Sequence, residues 1–302
     1  MELRNISTFL KIVELGQFSR AAEALGYAQS TVTTQLHQLE REMGGPLLTR
    51  NNSSVELTEF GRQFLPLAQE MQDVQLEMET LRTGTDAITG TLRVGVIESL
   101  LYSDFLKLVS AFSAKLPLVN LEFFTASSLE LHRMLTENRL DMAVCFAQAY
   151  DYSSLDVVQT KSARVLFATT PSNPLAKKRK VTLDDLSSVP LIMTEEISVY
   201  HQALHTMMNA AGLVLRHRCK VQSSHAIKQL VLMTDGVCYL PEYALADELA
   251  TGRMVALSTD FAPDAYDLIV AIRKERWHSP QLREMLQLAQ ESDWLTGTSA
   301  NG

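Results

Sequence analysis

Cysteine is scarce in this chain: Cys145, Cys219 and Cys238 are the three among 302 residues. An odd, sparse set argues against a disulfide framework and reads as small buried hydrophobes. Long apolar runs are also missing. Glu2, Arg4, Lys11 and Glu14 interrupt the first twenty residues, so there is no apolar core for a signal peptide. Nothing downstream is long and apolar enough for a membrane span. The expected location is the cytoplasm, with no membrane partner. Nucleophile motifs, phosphate loops and HExxH are absent, so an enzyme has no positive support and no cofactor is expected. A cationic surplus is lacking too, since the formal net charge is -8. Residues 1–66 hold six Lys/Arg against seven Glu, so even this segment is close to neutral. What is present is ordinary for a folded protein: 46% hydrophobic and 21% charged residues. The length favours two domains or more.

The N-terminal pattern is helical. Leu3, Ile6, Phe9, Leu10 and Val13 recur at helical spacing, and Gly16 ends the run. Ser19 is positioned to cap a second helix, Arg20 to Leu25, before a turn at Gly26. A third helix is expected from about Gln29 to Met43, with Val32, Leu36 and Leu39 inward. Two short helices joined by a glycine turn make a helix-turn-helix. Ala22 permits close approach, Gly26 makes the turn and Val32 fills the angle. Gln29, Ser30, Thr31, Thr33 and Thr34 then face outward at the start of the third helix, where base edges are read in a major groove. Gln29 can pair bidentately with adenine, and threonine methyls can touch thymine methyls. Helix pattern alone fits an ordinary three-helix module with a polar surface equally well.

Phe9, Phe18-Ser19-Arg20-Ala21-Ala22, Leu25-Gly26, Gln29-Ser30-Thr31-Val32-Thr33, Leu39-Glu40, Gly44, Leu47-Leu48, Arg50 and Leu57-Thr58-x-x-Gly61 agree in order and spacing with one family. Over residues 1–62 the chain resembles the DNA-binding domain of LysR-type regulators. The resemblance implies a winged helix, with the wing between about Leu48 and Leu57. It makes Arg20, Gln29, Ser30, Thr31, Thr33, Thr34 and His37 candidates for base or phosphate contact. Arg50 would hold the wing or a phosphate. The chain departs from the family where basic residues often stand: it has Thr34, His37 and Gln38 on the helix, and Asn52, Ser53, Ser54 and Glu56 in the wing. Ala28 replaces the usual capping serine. Fewer cations imply weaker non-specific affinity and a shallow salt slope.

Leu57, Phe60, Phe64, Leu67, Met71, Val74, Met78 and Leu81 alternate steps of three and four, an a/d heptad stripe. Thr58 can cap this helix, and Pro66 inside it predicts a bend. A helix buried all round would not keep Gln63, Gln69, Glu70, Gln72, Asp73, Glu77 and Glu79. Dimerisation through Phe64, Leu67, Met71, Val74, Met78 and Leu81 is therefore expected. A two-fold dimer would read a roughly palindromic double-stranded DNA site.

Beyond residue 90, strands alternate with helices. Strands are expected at Thr91–Ile97, Asn120–Thr125, Asp141–Phe146, Arg164–Thr169, Leu191–Thr194, Arg218–Gln222, Val237–Pro241 and Tyr266–Ile272. Helices are expected at about Ser103–Leu116, Ser128–Glu137, Tyr200–Ala211, Ser224–Met233 and Gln281–Gln290. That alternation argues for a parallel α/β sheet. Leu92-x-Val94-Gly95, Leu140-Asp141-x-Ala143 and Gly236-Val237-x-x-x-Pro241 resemble pieces of the family's two-lobed, periplasmic-binding-protein-like effector domain. Small ligands bind off the C-terminal ends of parallel strands. Those ends carry Glu98, Ser99, Ser127, Ser128, Phe146, Thr194, Glu195, Gln222, Ser223 and Tyr239. The helix starts after Ser99 and Ser127 favour an anionic group, while Glu98 and Glu195 favour a cationic or neutral one. Any one of the serines is as readily a plain helix cap as a ligand group.

Other constellations carry less. His201 and His205 lie four apart on a helix, a spacing that can chelate a metal, but a solvated helix face is the commoner cause and no metal is expected. Lys177-Lys178-Arg179-Lys180 reads as a solvated loop. Cys219 and Cys238 would make a redox switch of the kind some relatives use, yet both fall on expected strands, where a buried inert thiol is the better reading.

The fold class expected is α/β overall: a winged helix-turn-helix at 1–58, a linker helix at 59–88 and an effector domain at 89–302. Lobe I would be about 91–162 with 267–302, and lobe II 163–266. A small-molecule effector between the lobes would shift the placement of DNA-binding heads in a homodimer or dimer of dimers. The family resemblance adds RNA polymerase as a partner. The runner-up is a cytosolic small-molecule-binding protein without productive DNA binding.

Overall fold

The computed structural model describes residues 1–302 except 52–53, 84–87, 149, 190, 195–197, 215–216, 262–264, 275–277 and 295–302. For 50–51, 54, 73, 76–77, 79–83 and 217–218 it describes the backbone alone. The chain divides into two compact units, Met1–Gly90 and Thr91–Gly302.

The first unit comprises α1 (Leu3–Leu15), α2 (Phe18–Leu25), α3 (Gln29–Met43), β1 (Leu48–Asn51), β2 (Ser54–Leu57) and α4 (Glu59–Thr83). Ile6, Phe9 and Ile12 of α1 pack with Ala21, Ala22, Val32, Leu36 and Leu39 into one core. Gly26 has φ 67°, the left-handed turn that a side chain would disfavour. β1 and β2 form an antiparallel hairpin with Leu48 opposite Leu57. The Val55 N–H donates to the Gly16 carbonyl at 3.1 Å, which fastens this wing to the α1–α2 turn.

Two local expectations need correction. Ser19 does not cap α2: the helix starts one residue earlier, at Phe18, with Gln17 in the cap position and no side-chain bond. Burial of Phe18 draws that extra residue into the helix. Phe64 is not an exposed dimerisation residue. It is 4% exposed and its ring lies 5.4 Å from Phe9, inside the core of its own unit. The apolar stripe of α4 is wide enough to split. Phe64 and Ala68 are buried and Met71 packs partly against the same core. Phe60, Leu67, Val74 and Met78 stay exposed. Leu57 lies on β2, and the side chain of Leu81 is outside the described residues. The Thr58 hydroxyl accepts from Gly61 N–H at 2.8 Å, capping α4, which continues through Pro66.

The second unit follows as β3 (Gly90–Val96), a 3-10 turn (Glu98–Tyr102), α5 (Phe105–Lys115), β4 (Val119–Thr125), α6 (Ser128–Thr136), β5 (Met142–Phe146) and β6 (Leu155–Thr169). A second 3-10 turn (Pro174–Lys177) leads to α7 (Leu183–Ser188), β7 (Leu191–Met193), α8 (Val199–Ala210), β8 (His217–Lys220) and α9 (Ser224–Thr234). Then come β9 (Val237–Pro241), α10 (Glu242–Ala250), β10 (Val255–Ala256), β11 (Ala265–Arg273) and α11 (Pro280–Glu291). The sheet order is β4-β3-β5-β11-β6-β9-β7-β8, with β10 beside β6.

The sheet is mixed rather than parallel throughout. β3 and β5 are parallel, as are β8, β7 and β9. Between these sets β11 runs antiparallel to both β5 and β6, and β6 antiparallel to β9. The cause is the long strand β6. Its residues Leu155–Arg164 pair with β11 and its residues Val165–Thr169 with β9, so one strand crosses from lobe to lobe. Among the described residues no helix is long and apolar enough to cross a membrane.

Candidate functional site

In the first unit, the start of α3 stands out. Ala28 occupies its cap position in extended conformation without a side-chain bond. Gln29, Ser30, Thr31 and Thr34 are exposed, as is His37 one turn on, and Thr33 is half-buried. Thr33 and Thr34 donate their hydroxyls to the carbonyls of Gln29 and Ser30, at 3.0 and 2.9 Å. Each keeps oxygen lone pairs and a methyl for an outside partner. The helix is anchored from behind. Thr8 of α1 donates to Gln35 at 2.7 Å, and the Glu40 carboxylate accepts from Leu47 and Leu48 N–H at 2.9 and 3.3 Å. The face is polar and free of carboxylates near its start, as base readout requires.

Local pairing consumes part of the scarce positive charge. Arg4 pairs with Glu2, Lys11 with Glu14 and Arg62 with Glu59. Arg20 is exposed and carries no acidic partner among the described residues. Arg50 stands on β1, and its side chain is outside those described.

In the second unit, a cleft of about 460 Å³ opens where the two halves of the sheet meet. From the first lobe come Glu98, Ser99, Ser127, Ser128 and Phe146; from the second, Thr194 and Gln222. Seven of the residues expected from strand ends thus share one cavity. Two do not. Ser223 caps α9, accepting from Ala226 N–H at 3.3 Å, and its neighbour Ser224 lines the cleft instead. Tyr239 on β9 is 4% exposed and stacks on Phe167, with centroids 4.3 Å apart. This position lies in the aromatic core, with the Tyr200 ring 5.7 Å away. Glu195 lies outside the described residues.

The structure adds Thr125, Ser198, Tyr200 and Glu130 to the lining. Tyr200 forms an aromatic wall with Phe146, at 5.7 Å and 75°. Burial pushes its phenol above the usual range, against hydrogen bonds with Thr194 and Ser198, so it stays a neutral donor. Ser198 could have been found as the cap of a helix starting at the cleft. An aromatic at helical spacing such as Tyr200 carries no such mark.

The two lobes are tied across the cleft by the 3-10 turn. The Ser224 N–H, at the start of α9, donates to both Glu98 oxygens at 3.1 and 2.9 Å. A buried hydroxyl pair links Ser99 to Tyr243 of α10 at 2.8 Å. Tyr102 stacks on His225 with centroids 5.8 Å apart. A ligand resting on Glu98 or Ser99 therefore touches the same residues that set the lobe arrangement.

Residues 3–62 match the family model described as bacterial regulatory helix-turn-helix protein, lysR family, and residues 85–294 match the LysR substrate binding domain. The chain is a LysR-type transcriptional regulator. It is similar to the uncharacterized HTH-type transcriptional regulator YwqM of Bacillus subtilis (strain 168), 28% identical over 293 residues, 97% of this chain and 99% of that protein. Its fold is similar to that of full-length LysG from Corynebacterium glutamicum with bound effector Arg. The TM-score is 0.67 at 21% identity, covering 96% of this chain and 99% of that one. Full-length CbnR complexed with its target DNA superposes with a TM-score of 0.63 at 19% identity, covering 96% and 99%.

Two other sensing chemistries find little support in the regulator. Cys219 and Cys238 both stand opposite Ile192, on strands either side of β7. Two strand spacings separate them by roughly 9–10 Å, beyond the reach of about 7 Å that a disulfide allows. Burial pushes the Cys145 and Cys238 thiols up to about 12, so thiolate is scarce. Cys219 is half-buried rather than buried. His201 is not on a solvated face as expected. It is 1% exposed, and the Thr194 and Ser198 hydroxyls lie 3.0 and 2.8 Å from its Nδ1. Among the described residues no cluster of His, Cys, Asp or Glu suits a metal ion.

Proposed function

We propose that the regulator binds a roughly palindromic double-stranded DNA site as a homodimer or dimer of dimers, reading bases with Gln29 to Thr34 at the start of α3. Arg20, His37 and Arg50 make backbone or flanking contacts. A small-molecule effector enters the cleft and changes the balance between two lobe arrangements. The observation that carries this reading is the position of Glu98 and Ser99. They line the cleft and bond to α9 and α10 across it. The protein acts in the cytoplasm without a cofactor or a catalytic step, in contact with RNA polymerase. Its domains are the DNA-binding unit at 1–58, the linker helix at 59–88 and the effector domain at 89–302. The fold-mates with bound DNA and bound Arg support both halves of the reading.

Footprinting of the purified protein on its own upstream intergenic DNA tests it. The expected result is saturable, two-fold-symmetric protection, lost in Gln29→Ala and Thr34→Ala. Absence of protection at any salt, with the cleft still binding small molecules, would replace the reading by a small-molecule-binding protein without productive DNA binding. The observation that favours this second reading is the near-neutral head with its local ion pairs.

A further inference from the structure

The charge lining the cleft is of one sign. Among the described residues that line it, the charged ones are Glu98 and Glu130, and no Lys, Arg or His joins them. Glu130 is neutralised from outside the cavity. Arg133 donates to its two oxygens at 3.0 and 2.7 Å, and this pairing holds the carboxyl below its usual range.

Among the described residues Glu98 has no such partner. Its contact is the Ser224 N–H, shared between both oxygens. A carboxylate offers about four acceptor sites, so one divided N–H leaves most of them for water while the cleft stands open. A ligand that fills the cleft expels that water. The carboxylate then needs further donors or a counter-charge from the ligand, because no charged side chain among the described lining residues supplies one. A ligand carboxylate placed there would add a second negative charge in a drier medium. An ammonium group does the reverse. It brings three donors and a positive charge, and the aromatic side chains of Phe146 and Tyr200 line the same cavity.

We propose that the effector is a small amine, cationic or zwitterionic, whose ammonium group sits on Glu98. Glu98 is thus the specificity-determining residue of the cleft, which rejects simple carboxylates. The proposal rests on the reading of this cavity as the effector site. A zwitterion's own carboxylate would take its donors from the hydroxyls of Ser127 and Ser128, which line the same cavity.

Calorimetric titration of the full chain with matched probes tests it: 2-phenylethylamine against 3-phenylpropionate, and butylamine against pentanoate, each at millimolar concentration. The amines are expected to bind and the matched carboxylates not. Glu98→Gln, which keeps an acceptor for Ser224, should weaken amine binding about tenfold or more. Glu130→Gln should leave it within about twofold, because that carboxylate is already paired. Equal or tighter carboxylate binding, no binding of either amine, or unchanged amine binding in Glu98→Gln overturns the proposal. DNA affinity measured with and without the amine separates the two readings. If the amine binds through Glu98 but leaves DNA affinity unchanged, the ligand class stands and the regulatory reading falls. If a carboxylate fills the cleft and shifts DNA affinity, the regulatory reading stands and the ligand class falls.

Discussion

Glu248 of α10 serves two cations at once. Lys228 of α9 lies 2.9 Å from one of its oxygens and Arg253 lies 3.2 Å from the other. The Lys228 and Glu248 side chains are 6% and 5% exposed, whereas Arg253 is half in solvent. Lys228 also donates to the Ala244 carbonyl at 2.8 Å. A buried ion pair adds little net stability over an apolar pair, but removing one partner strands the other charge. Glu248→Gln should therefore cost about 3–5 kcal/mol in urea denaturation of the full chain. Adding Lys228→Met to it should recover most of that loss. A cost below about 1 kcal/mol for the single change would mean that Lys228 reaches water without rearrangement. None of this was legible beforehand. Lys228 sits in a helix whose sequence reads as ordinary, and α10 itself was not anticipated.

At the scale of elements, α4 carries two apolar faces with different tasks. Phe64 and Ala68 belong to the core of the first unit, whereas Leu67, Val74 and Met78 are exposed. Replacing Leu67 and Val74 together by Glu should leave the unit folded and shift the protein toward monomer in sedimentation velocity. Phe64→Ala should instead destabilise the unit by about 3–5 kcal/mol, the usual cost of emptying an aromatic core site. If the double variant stays fully dimeric, the exposed face is not the seam. The heptad stripe was plain in the sequence, but periodicity does not say which of its residues faces the chain's own core. Other elements show the same boundary. Ala22, Gly26 and Val32 were readable because a helix-turn-helix leaves few residues able to fit those places. The first half of β6, Leu155 to Ala163, was not: its buried and exposed positions alternate poorly, and its reason to be a strand is the pairing with β11. The cleft serines were legible as strand-end and cap residues. Tyr200, on the same wall, was not, since it looks like any core aromatic.

For the whole molecule the question is how a chain of net charge -8 holds a polyanion. Repulsion from the rest of the chain is screened beyond about 10 Å at ordinary ionic strength, so the local supply of cations decides. Arg4, Lys11 and Arg62 are each bound to a neighbouring glutamate. Arg20 and Arg41 are exposed with no acidic partner among the described residues, and Arg50 lies on the wing. Each head thus brings at most these three cations to phosphate. A pair of heads then neutralises about six phosphates, and at 0.9 per phosphate the slope of log K against log salt is no steeper than about -5. Affinity at physiological salt must come from base contacts and from having two heads on one molecule. Fluorescence anisotropy on a two-half-site operator between low and physiological salt measures the slope. Arg20→Ala should flatten it by about two for the pair of heads while lowering affinity for all sequences alike. A wild-type slope near -10 would show that the paired lysine and arginines leave their glutamates for the DNA, and that the local ion pairs are a resting arrangement rather than a limit on binding.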